Sequence, residues 1–155
     1  MSNGVEAYYR HEHDEQPPIL RTAEDADALV DALLAESPEN NTAALYHMDR
    51  PLNRAGVPDH EFHIAVVPET GTGALRYMGE SDGEWGTWFS TGGTGRTGTV
   101  LHYYMGHDRE FPADSEIPLE LVRTAVRGFL AGNGRRPSSV NWQPHRTVTQ
   151  RHNIP

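Results

Sequence analysis

The stretch EFHIAVVPETGTGALRYM, residues 61–78, carries the clearest fold signal in this chain. Apolar and polar residues alternate on both sides of a central Thr-Gly-Thr-Gly turn at residues 70–73. Such alternation predicts two strands that are each buried on one face, and the short glycine-rich turn predicts that they pair as a hairpin. The alternating apolar positions are Phe62, Ile64, Val66, Leu75 and Tyr77.

Helical patterns on either side of this hairpin predict two main helices. Thr22-x-x-Asp25 resembles a capping box, and apolar residues follow it at helical spacing. Pro118 fits the first turn of a second helix, which Gly132 or Gly134 would cap at its end. Further strands are predicted at residues 5–10, 43–48, 85–89, 99–105 and 140–142, with a loop at 106–115. The sequence therefore predicts an α+β fold, a mostly antiparallel sheet of about five to seven strands with two main helices packed on it.

Length and composition bound the domain organisation. With 155 residues, the chain is expected to form a single domain over residues 1–155, with residues 1–20 and 145–155 as loose ends. The sequence has no cysteine, which excludes a disulfide scaffold, a thiolate zinc site and a cysteine nucleophile. No apolar run reaches the roughly 18 residues of a membrane span, and the N-terminus shows no secretory signal pattern. We therefore expect a cytoplasmic protein.

Charged residues are distributed unevenly along the chain. All 22 acidic residues lie within residues 1–120, whereas residues 121–155 contain six arginines and no acid. The net charge of −9 predicts an acidic surface that repels nucleic acid, because phosphate binding depends on Lys and Arg. Such a surface attracts a basic protein partner and speeds its association.

The motifs that would indicate catalysis are incomplete. Gly93–Gly98 spells GxGxxG, but a strand rather than a helix follows it, so it is predicted to be a flexible loop and not a dinucleotide site. The chain lacks a GxSxG nucleophile elbow and an HExxH metal motif. We therefore expect no catalytic residue, no metal and no cofactor. Two alternatives stay open: a small hydrolase that uses carboxylate and His residues, and a small-ligand binding module that uses the loop at 91–98.

Acidic and aromatic residues occur together in two segments. Trp is frequent among the hot spots of protein interfaces, and acidic neighbours would suit a basic pocket on the partner. The candidate partner-binding residues are Glu80, Asp82, Glu84, Trp85, Trp88, Asp108 and Glu110. Trp142 follows the second helix and a turn, and we expect it to pack in the core.

The second half of the chain resembles a known family. Its short motifs are, in order, GALRY (73–77), YYMGHDREFP (103–112), SEIP (115–118), GRRP (134–137) and VNW (140–142). With these motifs in this order, the chain resembles the deaminase-associated immunity proteins of bacterial polymorphic toxin systems, specifically the first-numbered family. The likeness spans about residues 22–142. The resemblance implies an α+β protein without catalytic residues, which binds a toxin domain tightly and blocks its active site. That toxin is often a nucleic-acid deaminase, and the late Trp of the family corresponds to Trp142.

Overall fold

A central antiparallel sheet carries both helices on one face in the computed structural model, which describes residues 4–145. The helices are α1 (Ala23–Leu34) and α2 (Leu119–Ala131). The strands are β1 (Val5–Tyr8), β2 (Ile19–Leu20), β3 (Thr42–His47), β4 (Glu61–Val67), β5 (Thr72–Ser81), β6 (Glu84–Ser90), β7 (Thr99–Tyr104), β8 (His107–Pro112), β9 (Ile117–Pro118) and β10 (Trp142–Pro144). Eight of them form the central sheet, and β7 and β8 pair as a separate hairpin. The predicted α+β class is confirmed, although the central sheet is larger than expected.

The hairpin predicted from residues 61–78 forms the middle of the sheet. β4 and β5 pair antiparallel, with Phe62 opposite Tyr77 and Ile64 opposite Leu75, and all four side chains are fully buried. The strand order is β10-β6-β5-β4-β3-β1-β2, and β9 pairs with the start of β5. Because side chains alternate along each strand, the sheet has two faces. We call the face that carries the helices the helix face, and the face toward the separate β7–β8 hairpin the hairpin face.

Both helices bury an apolar stripe against the helix face. The predicted capping box is present at the start of α1, since the Thr22 hydroxyl accepts a hydrogen bond from the Asp25 N–H and the Asp25 carboxylate accepts one from the Thr22 N–H. α2 begins directly after Pro118, which is its N-cap residue. In the core, the rings of Phe129 and Phe62 have centroids 4.8 Å apart. Full burial of each such side chain contributes about 1.5–3 kcal/mol to folding.

The β7–β8 hairpin packs on the hairpin face of the sheet. The ring of Phe111 in β8 packs against that of Phe89 in β6, with centroids 5.2 Å apart. Together with Ala65 and Ala74 they form a second, smaller apolar cluster. The sheet is therefore covered by helices on one face and partly covered by a hairpin on the other.

The prediction that residues 106–115 form a loop is wrong. His107–Pro112 is strand β8 and pairs with β7 along its length. The chain turns earlier, at Met105-Gly106, where both residues have positive φ. Asp108 and Glu110 are exposed and alternate with the more buried Arg109 and Phe111, so they belong to a strand rather than a loop.

The N-terminal segment is part of the sheet. β1 pairs with β3 on one side and with β2 on the other, and Val5 and Ala7 are fully buried. Residues 5–8 and 19–20, which lie in the segment expected to be loose, are therefore paired in the sheet. The corresponding expectation for residues 145–155 falls, His145 apart, outside the described residues. Within residues 4–145, no helix is long and apolar enough to cross a membrane.

Candidate functional site

The turn between β5 and β6 brings together four of the predicted partner-binding residues. Asp82 and Gly83 have φ of 54° and 85°, the positive values required by a tight two-residue hairpin turn. Glu80 lies opposite Trp85 across the hairpin, and Trp85 is 63% exposed. Glu84 is exposed beside it. We call Glu80, Asp82, Glu84 and Trp85 the acid–aromatic tip.

Trp88 lies on the opposite face of β6 from the tip tryptophan. The guanidinium carbon of Arg136 is 4.5 Å from the ring centroid of Trp88 and 5.7 Å from that of Trp142. Arg136 also lies 3.7 Å from the Asp82 carboxylate. The indole N–H of Trp142 donates to the Pro137 carbonyl at 2.7 Å. Arg136 therefore covers Trp88 and packs beside Trp142, and neither ring is part of the tip.

Asp108 and Glu110 lie on the separate β7–β8 hairpin. Both side chains are exposed, and Leu101, the cross-strand neighbour of Glu110, is 46% exposed. Arg109 donates to the backbone carbonyl of Asp108 and not to its carboxylate. The structure thus divides the seven predicted residues into the tip, a β8 pair and the covered Trp88.

The arginines of α2 do not form a separate basic surface. Arg123 donates to Asp31 and Arg127 donates to Asp27, both at 2.6 Å, so the pairs join α2 to α1. Exposed pairs of this kind contribute only about 0–1 kcal/mol each. Their main effect is on the charge pattern, because folding brings part of the basic C-terminal segment against the acidic first helix.

The glycine-rich loop at residues 91–98 wraps around a carboxylate of the same chain. Asp114 accepts hydrogen bonds from the N–H groups of Thr94 and Gly95 and from the hydroxyls of Thr91 and Thr94. These bonds, the Thr94 hydroxyl first among them, favour the ionised carboxylate and lower the pKa of Asp114. The small-ligand alternative needs these donors to be available for an anion, whereas here they already bind Asp114.

A cavity of about 250 Å³ lies between the hairpin face of the sheet and the β7–β8 hairpin. We call it the hairpin cavity. Its polar lining consists of Tyr46, Glu61, His63 and Arg76 from the sheet and Tyr104, Arg109 and Glu110 from the hairpin. The cavity therefore exists only while the hairpin is packed on the sheet.

Glu61 makes the most hydrogen bonds in this cavity. One carboxylate oxygen accepts from the Tyr46 hydroxyl at 2.6 Å, and the other accepts from Arg76 at 3.1 Å and lies 3.0 Å from His63 Nε2. Burial opposes ionisation, but the bonds from His63 and Tyr46 and the charge of Arg76 outweigh it and lower the pKa of Glu61 to about 2. The carboxylate is therefore ionised and already paired at neutral pH.

A carboxylate–imidazole pair in a cavity is part of what the hydrolase alternative requires. Glu61, with a pKa of about 2, is a poor general base near neutral pH. Among the described residues that line the cavity, none is a Ser, Thr or Cys that could act as nucleophile. Within residues 4–145, no three His, Asp or Glu side chains lie close enough together to hold a metal ion. The cavity thus holds two carboxylates, Glu61 and Glu110, and one imidazole, the residue types of this alternative, but the Glu61 carboxylate is ionised and already paired at neutral pH.

Two neighbouring asparagines between α1 and β3 hold the β7–β8 hairpin against the sheet. The Asn41 side chain donates from Nδ2 to the Val66 carbonyl at 2.9 Å and accepts at Oδ1 from the Tyr103 N–H at 2.8 Å. These two bonds fix the orientation of the amide, so Nδ2 also donates to His102 Nδ1 at 3.1 Å. Asn40 accepts in the same way from the backbone of the β7–β8 turn. We call Asn40 and Asn41 the asparagine latch.

Neither the hairpin cavity nor the asparagine latch was predicted from the sequence. Both join segments that are far apart in the chain. One signal was available for the cavity, because the alternation of β4 leaves Glu61 and His63 on the face opposite its apolar residues. For the latch no such signal exists, since an Asn-Asn pair is equally typical of an ordinary turn.

The fold and these sites define an α+β domain with a hairpin-covered polar cavity and an exposed acid–aromatic tip. A family model described as Immunity protein Imm1 matches residues 14–144. The chain therefore belongs to the Imm1 family of immunity proteins, as its motifs suggested, and membership supports a role in binding a cognate toxin. A comparison with curated proteins gave no match.

Proposed function

We propose that this immunity protein binds a cognate toxin domain that deaminates nucleic acid, and that it blocks the toxin's active site in the cytoplasm without catalysing a reaction itself. Family membership supports the immunity role. The rest depends on the acid–aromatic tip, where the exposed Trp85 lies opposite Glu80 and follows Glu84 in the strand. An enzyme that acts on nucleic acid needs a basic surface around its cleft, because Lys and Arg bind the phosphates.

The tip has the chemistry to occupy such a basic cleft. Trp85 offers a large amphipathic ring, the kind of side chain that dominates the energy of protein interfaces. Its carboxylate neighbours complement Lys and Arg on the partner, which steers association toward rates of about 10⁸–10⁹ M⁻¹s⁻¹ at low salt. Asp108 and Glu110 are exposed on β8 and extend the acidic surface to a second hairpin. Rapid association lets the protein reach its toxin before the toxin reaches nucleic acid.

Trp85→Ala is expected to raise the Kd for the toxin domain about 30-fold, or about 2 kcal/mol, chiefly through faster dissociation. The substitution should leave the fold intact because the ring is 63% exposed. Surface plasmon resonance with the product of the neighbouring toxin gene measures this effect. Leu52→Ala is the matched control, since Leu52 is another apolar residue that is 62% exposed. Unchanged binding of Trp85→Ala would place the interface elsewhere, and no binding of the wild type at micromolar concentration would refute toxin binding.

Glu84→Lys is expected to slow association roughly tenfold at low salt and to make it less sensitive to salt. The reason is that the substitution removes negative charge next to the tryptophan anchor. Stopped-flow kinetics at several ionic strengths measures the change. Glu69→Lys changes the net charge equally at another exposed position and serves as the control. Equal slowing in both variants would show that the association rate depends on the net charge of the protein and not on the charge of the tip.

The deaminase assignment has its own test. The isolated toxin domain is expected to convert cytosine or adenine in single-stranded nucleic acid, and an equimolar amount of this protein is expected to abolish the conversion. Mass spectrometry of the nucleic acid detects the mass change directly. A toxin that cleaves the strand, or that leaves the bases unchanged, would contradict the assignment while leaving the immunity role in place.

A further inference from the structure

One line of side chains crosses the sheet beside the β7–β8 hairpin. Glu6 of β1 pairs with Tyr46 of β3, Glu61 of β4 pairs with Met78 of β5, and Met78 pairs with Thr87 of β6. The Tyr46 hydroxyl donates to the Glu61 carboxylate, which joins the two parts of the line. Residues directly opposite each other in a sheet project from the same face, so the five side chains form one row. We call it the cross-strand row, and its length over five strands is about 19 Å.

The β7–β8 hairpin covers the residues next to the cross-strand row but not the row itself. Two residues further along their strands, His63 and Phe89 are buried, and their rings pack against Tyr104 and Phe111 of the hairpin. All five side chains of the cross-strand row are partly exposed instead. Two members of the row line the hairpin cavity, which places the row on the hairpin face. The row therefore begins at the mouth of the cavity.

On its other side, the cross-strand row adjoins the acid–aromatic tip. Glu80 follows Met78 on the same face of β5, and Trp85 precedes Thr87 in the same way on β6. The Glu80 carboxylate accepts a hydrogen bond from the Gly83 N–H, and both Glu80 and Trp85 are exposed. The row thus lies between the tip and the hairpin that carries the β8 pair, so one surface connects the two separate groups of predicted partner-binding residues.

The composition of this surface is typical of a protein interface. A sheet face that meets only water carries mainly polar side chains, whereas Tyr, Trp and Met are enriched in interfaces. Met78 lies in the middle of the surface, between Glu61 and Thr87, with Tyr46 on one side and Trp85 on the other. The surface therefore offers an apolar and aromatic centre with carboxylates around it.

Negative charge exceeds positive charge on this surface. Arg76, which lies beside the cross-strand row, is paired with Glu61. Arg109 lies between the two carboxylates of the β8 pair in sequence. Glu6 and Glu80 have no arginine within ion-pair distance among the described residues, so their charges are not neutralised within residues 4–145. A partner with Lys and Arg side chains complements this arrangement.

We infer that the cross-strand row is the centre of the toxin-binding surface, with the acid–aromatic tip and the β8 pair at its borders. The inference rests on the proposed function and extends it from the tip to the sheet. The toxin domain then packs apolar side chains on Met78 and places Lys or Arg side chains beside Glu6 and Glu80. A second copy of this chain fits poorly, because a two-fold contact through the row would bring the same carboxylates together.

The first experiment measures the affinity of charge variants for the toxin domain by surface plasmon resonance. Met78→Arg should raise the Kd at least 100-fold, because it places a cation in the middle of a surface that meets a basic partner. Ala28→Arg adds the same charge at an exposed position of α1, on the other side of the sheet, and should stay within about threefold of the wild type. Glu6→Gln should slow association about threefold, whereas Glu24→Gln, exposed on α1, should not. Wild-type affinity of Met78→Arg, or equal weakening by Ala28→Arg, would overturn the inference.

The second experiment uses the wild-type protein and so does not depend on how Met78→Arg folds. Hydroxyl-radical labelling with mass spectrometry should show Met78 and Tyr46 labelled in the free protein and at least fivefold less in the toxin complex. Leu52, which is 62% exposed, should be labelled equally in both. Unchanged labelling of Met78 in the complex would overturn the inference, as would a free protein that sedimentation shows to be a dimer through this surface.

Failure of this inference is distinguishable from failure of the proposed function. If the toxin binds and Trp85→Ala weakens binding while Met78→Arg does not, the tip is the interface and the cross-strand row is not. If the wild type does not bind the toxin at micromolar concentration, the proposed function and the inference that rests on it are both refuted.

Discussion

Asn41→Ala is expected to lower the free energy of unfolding by about 3 kcal/mol and to release the β7–β8 hairpin from the sheet. The Asn41 side chain makes three hydrogen bonds to distant segments, to Val66, His102 and Tyr103. Each is worth about 1 kcal/mol, and the loss also leaves the buried His102 Nδ1 without its donor. Alanine fills none of these roles, and what remains is the backbone bond from Asn41 to Tyr103, the bonds of Glu39 and Asn40 to the β7–β8 turn, and the contact of Phe111 with Phe89.

Urea unfolding gives the change in stability, and hydrogen exchange gives its location. We expect the amides of β7 and β8 to exchange much faster in Asn41→Ala while those of β4 and β5 keep their protection. Asn141→Ala is the control, since Asn141 is exposed and offers its backbone carbonyl, which remains, to Thr91. A variant with wild-type stability and a fully protected hairpin would show that the Asn41 side chain is not needed to hold the hairpin in place.

Release of the hairpin should also abolish the hairpin cavity. The cavity is lined by Glu61 and His63 from the sheet and by Tyr104 and Arg109 from the hairpin. These groups are therefore brought together only while the hairpin is packed on the sheet, and the Asn41 side chain is one of the groups that hold it there.

The parts of the fold that were predictable depend on local physics. Alternation within residues 61–78 defines two strands, and a tight glycine turn leaves them few ways to pair other than with each other. The side chains of Thr22 and Asp25 each accept a hydrogen bond from the other's backbone N–H within one turn. The start of α1 can therefore be predicted from four residues. The same holds for the acid–aromatic tip, because Asp82-Gly83 is a two-residue turn that places its neighbours opposite one another.

The parts that were not predictable depend on contacts between distant segments. β8 resembles a loop in sequence because its outer face is acidic, and only the contact of Phe111 with the sheet identifies its inner face. The sequence shows six arginines and no acid in residues 121–155, yet Arg123 and Arg127 form ion pairs with the acidic residues of α1. The GxGxxG loop resembled an anion site because its donors suit a carboxylate, and the carboxylate is supplied by Asp114, about twenty residues along the chain.

Acidification from pH 7 to pH 4 is expected to remove about 3 kcal/mol of stability through His102 alone. Burial outweighs the attraction of Glu116 and lowers the pKa of His102 from 6.5 to about 4. In the unfolded chain this imidazole binds a proton near pH 6.5, whereas in the folded protein it stays neutral until about pH 4. The unfolded state therefore binds more protons between these values, and stability falls as the pH falls. Structurally, protonation at Nδ1 removes the acceptor that Asn41 uses and places a charge 4.8 Å from the centroid of Phe111.

His102→Asn isolates this contribution. The Asn oxygen can accept from Asn41 near the position of Nδ1 but does not titrate, so the variant should lose about 3 kcal/mol less than the wild type between pH 7 and pH 4. Burial also lowers the pKa of His13 and His60. Both residues remain in the variant, so the difference in pH dependence between the variant and the wild type measures the contribution of His102. His107→Asn, at an exposed position, should follow the wild-type curve. Parallel curves for His102→Asn and the wild type would mean that His102 is protonated in the folded hairpin, and its bond from Asn41 would then be absent.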